Sequence, residues 1–217
     1  ATPTAPGPGV PAAAARQLHE IGEEVVVVGR NPDKTRRVAD ALGVRSFTAD
    51  FSDLAQVREL AETLRAEYPR IDVLANNAGG IFGDRKLTGD GFEVTFQVNH
   101  LAPFLLTNLL RETLLESRAS VIQTSSAAAR LFSRFDVDDL QGERHYSASR
   151  AYGNAKLANV LFTKELNRRF GDAGLSAVAY HPGVIASSLR STGVPTSPMP
   201  SGLRLTSSEF HRPTKVR

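Results

Sequence analysis

The chain contains no cysteine, so neither disulfide bonds nor thiolate metal ligands enter its chemistry. It has no apolar run of the ~20 residues needed to cross a bilayer, and its N-terminus lacks the pattern of a secretory leader. A cytoplasmic enzyme is the expectation. His100, His145 and His181 have no ligand spacing, so a bound metal is not expected. No serine sits in a Gly-x-Ser-x-Gly elbow, which argues against an α/β-hydrolase, and no internal repeat is visible. Net charge is also lacking over most of the chain, residues 1–190 balancing to zero. From Ser191 onward Arg204, Arg212, Lys215 and Arg217 face Glu209 alone. That excess equals the formal charge of the whole protein, +3. The pI of about 9.4 therefore belongs to a tail, not to a face that could grip nucleic acid.

What is present fits one domain. The chain has 217 residues, 41% hydrophobic and 23% charged, ordinary values for a soluble globular protein with a substantial core. Residues 1–11 are proline-rich and cannot form a central strand, because proline has no N–H for the ladder. Residues 12–21 then read as a helix closed by Gly22. A β-branched run over residues 24–29 suits a buried parallel strand. The spacing predicts a helix over 32–42 ended by Gly43, a strand over 45–49, a helix from Leu54 to beyond Leu64, and a strand over 71–75. A long apolar helical stretch follows over 92–115, bent at Pro103. A strand over 120–124, a helix over 150–170 and a strand over 175–180 complete the series. Strands alternating with helices predict an α/β fold of the doubly wound, Rossmann-type three-layer kind with a mostly parallel sheet. That domain spans residues 1–190. Residues 191–217 read as an irregular Pro/Ser-rich basic tail.

The stretch around which the rest is organised is Ser149-Arg150-Ala151-Tyr152-Gly153-Asn154-Ala155-Lys156. Four residues separate Tyr152 from Lys156, so a helix places them one turn apart on one face. A phenol titrating near 10 is a poor acid–base group at neutral pH, and a nearby ammonium favours its ionised form. The pair alone is a weak pattern, and its companions decide. Asp72-Val73-Leu74-Ala75-Asn76-Asn77-Ala78-Gly79 ends one strand, and Asn99-His100-Leu101-Ala102-Pro103-Phe104 lies in the long helix. Val121-Ile122-Gln123-Thr124-Ser125-Ser126 ends another strand, and His181-Pro182-Gly183-Val184-Ile185-Ala186-Ser187 follows the last.

In this order, over roughly residues 4–190, the motifs resemble the short-chain dehydrogenase/reductase family. Leu140-Gln141-Gly142-Glu143-Arg144 and Lys156-Leu157-Ala158-Asn159-Val160-Leu161-Phe162-Thr163 look like its retinol-dehydrogenase-like branch. The resemblance implies an NAD(P)-dependent oxidoreductase acting on an alcohol or carbonyl. It implies Tyr152 as the proton donor or acceptor and Ser126 as a hydrogen-bond donor to the substrate oxygen. Lys156 would bind the nicotinamide ribose and lower the Tyr152 pKa. Asn99 would bend its helix and hold a relay water. Donors aimed at an oxygen where charge develops make physical sense for hydride transfer. Taken singly, Ser126 reads as a strand-end hydroxyl capping backbone and Asn99 as a buried amide. Ser125 is the competing serine. Dimers or tetramers paired through the two long helices are a family-level expectation.

Arg30 follows the first visible strand, where an acid would suit NAD; a guanidinium there suits the 2′-phosphate of NADP. The ordinary reading is an exposed arginine. Asp50 and Phe51 would lie along the adenine, Asn77, Ala78 and Gly79 along the adenosine ribose, and Pro182, Gly183, Val184 and Ser187 along the nicotinamide. Ser187 replaces the family's usual threonine. The phosphate loop would fall on Thr4-Ala5-Pro6-Gly7-Pro8-Gly9-Val10-Pro11, leaving Gly9 and Val10 as its contacts. There Ala5 and Pro11 replace glycines, and Pro6, Pro8 and Pro11 lack the N–H groups a pyrophosphate needs. Too few residues precede this loop for a central first strand, so its two neighbours should lack a partner. The chain therefore reads as a family core incomplete at both ends, either an active enzyme or a catalytically silent relative with weak cofactor binding.

Overall fold

A computed structural model of the chain describes residues 10–183. The glycine-poor loop up to Gly9, together with Val184, Ser187 and the tail, lies outside the described residues. Helix α1 (Val10–Glu20) leads into strand β1 (Val26–Gly29), helix α2 (Pro32–Leu42), strand β2 (Arg45–Thr48), helix α3 (Leu54–Glu67) and strand β3 (Val73–Asn76). The long helical stretch is α4 (Val94–Phe96), a π-helical turn (Gln97–Leu101), α5 (Ala102–Leu109) and α6 (Arg111–Glu116). Then come β4 (Ser120–Thr124), α7 (Ala128–Leu131), α8 (Ala148–Phe170) and β5 (Ser176–Tyr180).

Local chemistry sets these boundaries. Asn31 caps α2 by accepting from Lys34 N at 2.9 Å, with Pro32 at the first turn. Gly43, at φ 67°, closes it in the left-handed conformation glycine adopts without strain. Asp53 caps α3 through Ala55 N, and Ser147 caps α8 through Arg150 N. Along α3 the buried residues Val57, Leu60, Ala61 and Leu64 recur at helical spacing. They meet Leu106, Leu110 and Leu114 of the long stretch, Val121 of β4 and Phe162 and Leu166 of α8 in one core.

The five strands among the described residues pair in parallel and form two sheets. β1 pairs with β2, and β4 lies between β3 and β5. Among the described residues no ladder joins β1 to β3. The long helix differs from the continuous rod that its apolar spacing suggests. It begins at Val94, changes hydrogen-bond register through Gln97–Leu101, and breaks at Leu110, whose ψ of 0° departs from the α-helical value. Pro103 is not the sole bend; the π turn directly before it shares that role. Helix α7 is an addition, too short to leave a periodic signal.

Candidate active site

Parallel strands deliver their C-terminal ends to one edge, where βα folds hold ligands. Here those ends carry Gly29 and Arg30, Asp50 and Phe51, Asn77 to Gly79, Thr124 to Ser126, and His181 to Gly183. Asn99 reaches this edge from the π turn and is fully buried. Its Oδ1 accepts from Gly80 N at 3.1 Å, and its Nδ2 donates to Gly80 O and Thr95 O, each at 2.8 Å. One amide thus ties the turn after β3 to the helix before the π turn. Gly79 lies against it so closely that an added Cβ would fall 2.3 Å from Asn99 Oδ1 and 3.2 Å from Lys156 Nζ. Expected along the adenosine ribose, Gly79 also floors the space shared by Asn99 and Lys156.

Helix α8 brings Tyr152 and Lys156 beside the end of β4. Lys156 is 3% exposed, and its ammonium donates to Thr124 O at 3.0 Å and stands 5.4 Å from the Tyr152 ring centroid. Burial lowers its pKa to about 8. The Tyr152 phenol is pushed the other way. Burial raises it above its ordinary value, and a hydrogen bond from Ser126 offsets part of that rise. The expectation that Lys156 draws the phenol down is therefore not met in this structure. The ammonium sits beside the ring and points at a backbone carbonyl, so desolvation governs the phenol.

The two serines separate cleanly. Ser125 is buried and donates to Lys156 O at 2.9 Å, locking β4 to α8. Ser126 is the serine at the phenol. It also accepts from Ala128 N at 3.2 Å, so its backbone-capping reading holds as well. Asn77 accepts from Thr124 Oγ1 at 3.0 Å. Asp50 accepts from Ser52 N and Ser52 Oγ at 2.9 and 2.7 Å, and Phe51 packs on the core. Arg30 is exposed and has no ion pair or hydrogen bond among the described residues. Ala78, Pro182 and Gly183 stand at the strand ends, and Val10 begins α1.

Other residues that shape the site escape a motif reading. At Gly153 a Cβ would meet Ala128 O and Ser133 N at 2.8 Å, so only glycine lets α7 and the turn after it press on α8. Asn154 Oδ1 accepts from Arg134 N at 2.8 Å and fixes that same turn. The buried Glu93 carboxylate accepts from Thr95 N, Phe96 N and the Tyr146 hydroxyl at 2.9, 2.7 and 3.2 Å. It caps the long helix and pins the segment before α8. The signal was legible in kind: glycine and asparagine in a helix interior are costly unless they have a task. An open cavity of about 550 Å³ lies between α7 and the first turn of α8, lined by Leu131, Phe132, Arg134, Tyr146 and Arg150 among others. Tyr152 and Ser126 are not part of its lining.

The order of elements and this constellation define a short-chain dehydrogenase/reductase. Residues 4–196 match the short chain dehydrogenase family, and the chain belongs to it, in its retinol-dehydrogenase-like branch. DnrU of Streptomyces sp. (strain C5), which carries the name daunorubicin C-13 ketoreductase, is 50% identical over 184 residues, 82% of this chain and 62% of that protein. Human retinol dehydrogenase 13 is 40% identical over 189 residues, 83% of this chain and 57% of its own length. The chain thus spans about three fifths of the curated relatives it matches. A crystal structure from Mycobacterium paratuberculosis superposes with a TM-score of 0.72 at 36% identity, over 82% of this chain and 65% of that one. A metagenomic short-chain oxidoreductase crystallised with NADP shares the fold at a TM-score of 0.65 and 24% identity, covering 81% of this chain and 78% of its own.

Proposed function

We propose that the chain is an NADP(H)-dependent oxidoreductase that interconverts an alcohol and its carbonyl, with Tyr152 as the general acid–base. The observation that carries this reading is the buried ammonium of Lys156, held on Thr124 O at the end of β4 and 5.4 Å from the Tyr152 ring one helical turn away. When bound, a reduced nicotinamide supplies the hydride. In that direction Tyr152 delivers a proton to the substrate oxygen while Ser126 donates a hydrogen bond to it. Lys156 would hold the nicotinamide ribose one helical turn from the phenol. Asn99 fixes the turn that borders Lys156 and holds a water in the proton relay.

The strand-end residues fit such a cofactor. Gly79 leaves space that a side chain would fill, and the Arg30 guanidinium carries no competing acid among the described residues. Arg30 suits a 2′-phosphate, and NADP is named with one solved structure of this fold. Asp50, Phe51, Asn77, Ala78, Pro182 and Gly183 would complete the cradle, with Gly9, Val10, Val184 and Ser187. The relatives' names speak of a ketone and of retinol, which favours a sizeable apolar substrate. Exposed Phe104 of α5 and Leu161 of α8 suit pairing of two copies, and a cytoplasmic location belongs to the same reading.

A catalytically silent relative is the second reading, favoured by Pro6, Pro8 and Pro11 in the phosphate loop. Tyr152→Phe separates the two. If the chain is an enzyme, the substitution lowers aldehyde-dependent NADPH consumption by about 10²–10⁴-fold. Unchanged turnover in Tyr152→Phe contradicts the assignment.

A further inference from the structure

Asparagine is a poor helix former, yet Asn159 sits on the buried face of α8 at 2% exposure. Both ends of its amide are engaged. Nδ2 donates to the backbone oxygen of Asn99 at 3.0 Å, and Oδ1 lies 2.9 Å from His100 Nδ1. The first bond answers a need that the sequence creates. In a regular helix the Asn99 carbonyl would accept the N–H four residues on, but that residue is Pro103, which has none. The π turn ends directly before Ala102, where α5 starts. Without Asn159 a carbonyl of a fully buried residue would lose its side-chain partner.

The second bond follows from the first. With Nδ2 committed to a carbonyl, Oδ1 must face His100, so the imidazole carries its proton on Nδ1. The ring stands among Phe96, Phe104 and Phe162, with centroids 5.3, 5.9 and 6.3 Å away. Burial lowers the His100 pKa; the Lys156 charge adds to this and the Asn159 hydrogen bond opposes it. A neutral ring therefore donates one hydrogen bond that fixes the rotation of the Asn159 amide.

We propose that Asn159 and His100 are positioning residues for the reaction, holding the Asn99 backbone so that its side chain staples Gly80 and borders Lys156. The proposal rests on the oxidoreductase reading above. It links three elements through named atoms: His100 Nδ1–H to Asn159 Oδ1, Asn159 Nδ2–H to Asn99 O, and the Asn99 amide to both backbone groups of Gly80. Since Gly79 lies against both Asn99 and Lys156, a shift of the Asn99 backbone alters the space in which Lys156 works.

The test is a rescue. In Asn159→Leu, kcat falls roughly tenfold to a hundredfold while the KM for NADPH changes by less than about threefold. Pro103→Ala, which returns an N–H to the chain opposite the Asn99 carbonyl, recovers at least about half of that loss on a logarithmic scale in the Asn159→Leu background. Wild-type kcat in Asn159→Leu overturns the proposal, and so does a double variant no faster than the single one. Should Asn159→Leu fail to fold, nitrogen NMR of the intact chain at neutral pH decides. It should show His100 with a protonated Nδ1 and a bare Nε2, and the opposite tautomer or an imidazolium overturns the proposal. This spectrum needs no turnover. The expected tautomer in a chain without NADPH-dependent activity supports the network and contradicts the oxidoreductase reading alone.

Discussion

The half of the chain built from β3, β4, β5, α5 and α8 and the half built from β1, β2 and α2 use the same strand-and-helix units, yet they hold their candidate site residues differently. In the first, Val121, Leu110 and Leu114 have no exposed surface, and Asn99, Lys156 and Asn159 are buried with named hydrogen-bond partners. In the second, Arg30 projects from the end of β1, exposed and without a partner among the described residues. The difference separates chemistry from recognition. Under the proposed function, the side chains that would move a proton are held by packing, whereas Arg30, which would meet the cofactor, stands exposed at a strand end.

The largest effect expected from disturbing that contrast is at Gly79, where the two halves of the task meet. Gly79→Ala places a methyl group against Asn99 Oδ1 and Lys156 Nζ, and displacing them should lower kcat by about 10²-fold. Steady-state kinetics with a reactive aromatic aldehyde gives the answer. A drop confined to the KM for NADPH would return Gly79 to a purely cofactor-binding part.

On the exposed side, Arg30→Asp replaces attraction for a 2′-phosphate by repulsion. It should weaken NADPH by roughly tenfold more than NADH and leave kcat nearly unchanged. Isothermal titration with both coenzymes measures the ratio, and equal losses would make Arg30 an ordinary surface arginine.

The smallest effect is on stability, and it has a favourable sign. The folded chain holds Lys156 at about 8 against an ordinary 10.5. Between those values the unfolded chain binds more protons, so stability rises as pH increases through that window. Lys156→Met removes the buried ammonium. It should raise stability near neutral pH by ~1–3 kcal/mol while eliminating turnover, and its stability should no longer climb above pH 8. Thermal melts across this range check it. A destabilised Lys156→Met would mean that the bond to Thr124 O outweighs the cost of burial.

Much of this contrast was legible in the sequence because caps and strand patterns are local. Asn31, Pro32 and Gly43 fix both ends of α2, and β4 falls on the five residues its apolar pattern marks. The π turn was not legible, since apolar spacing records which face is buried and not which carbonyl each N–H meets. Tyr152, Lys156, Ser126 and Asn99 stood out through their order. Glu93, Gly153 and Asn159 did not, because each acts on residues distant in sequence that only the fold brings near. The direction of the Tyr152 pKa also required the structure, because burial and the aim of the Lys156 ammonium decide it.

We propose that a proton-transfer site stands beside a weakened cofactor grip. Initial rates of aldehyde reduction measured across a wide NADPH range test both parts together. Losing two charge-assisted hydrogen bonds at the proline-bearing loop, at roughly 1.5–3 kcal/mol each, should weaken cofactor binding by about two to four orders of magnitude. The expected result is a saturable, Tyr152-dependent rate whose KM for NADPH lies near the millimolar range. A micromolar KM would contradict the weakened grip, and no rate at any NADPH concentration would contradict the assembled site.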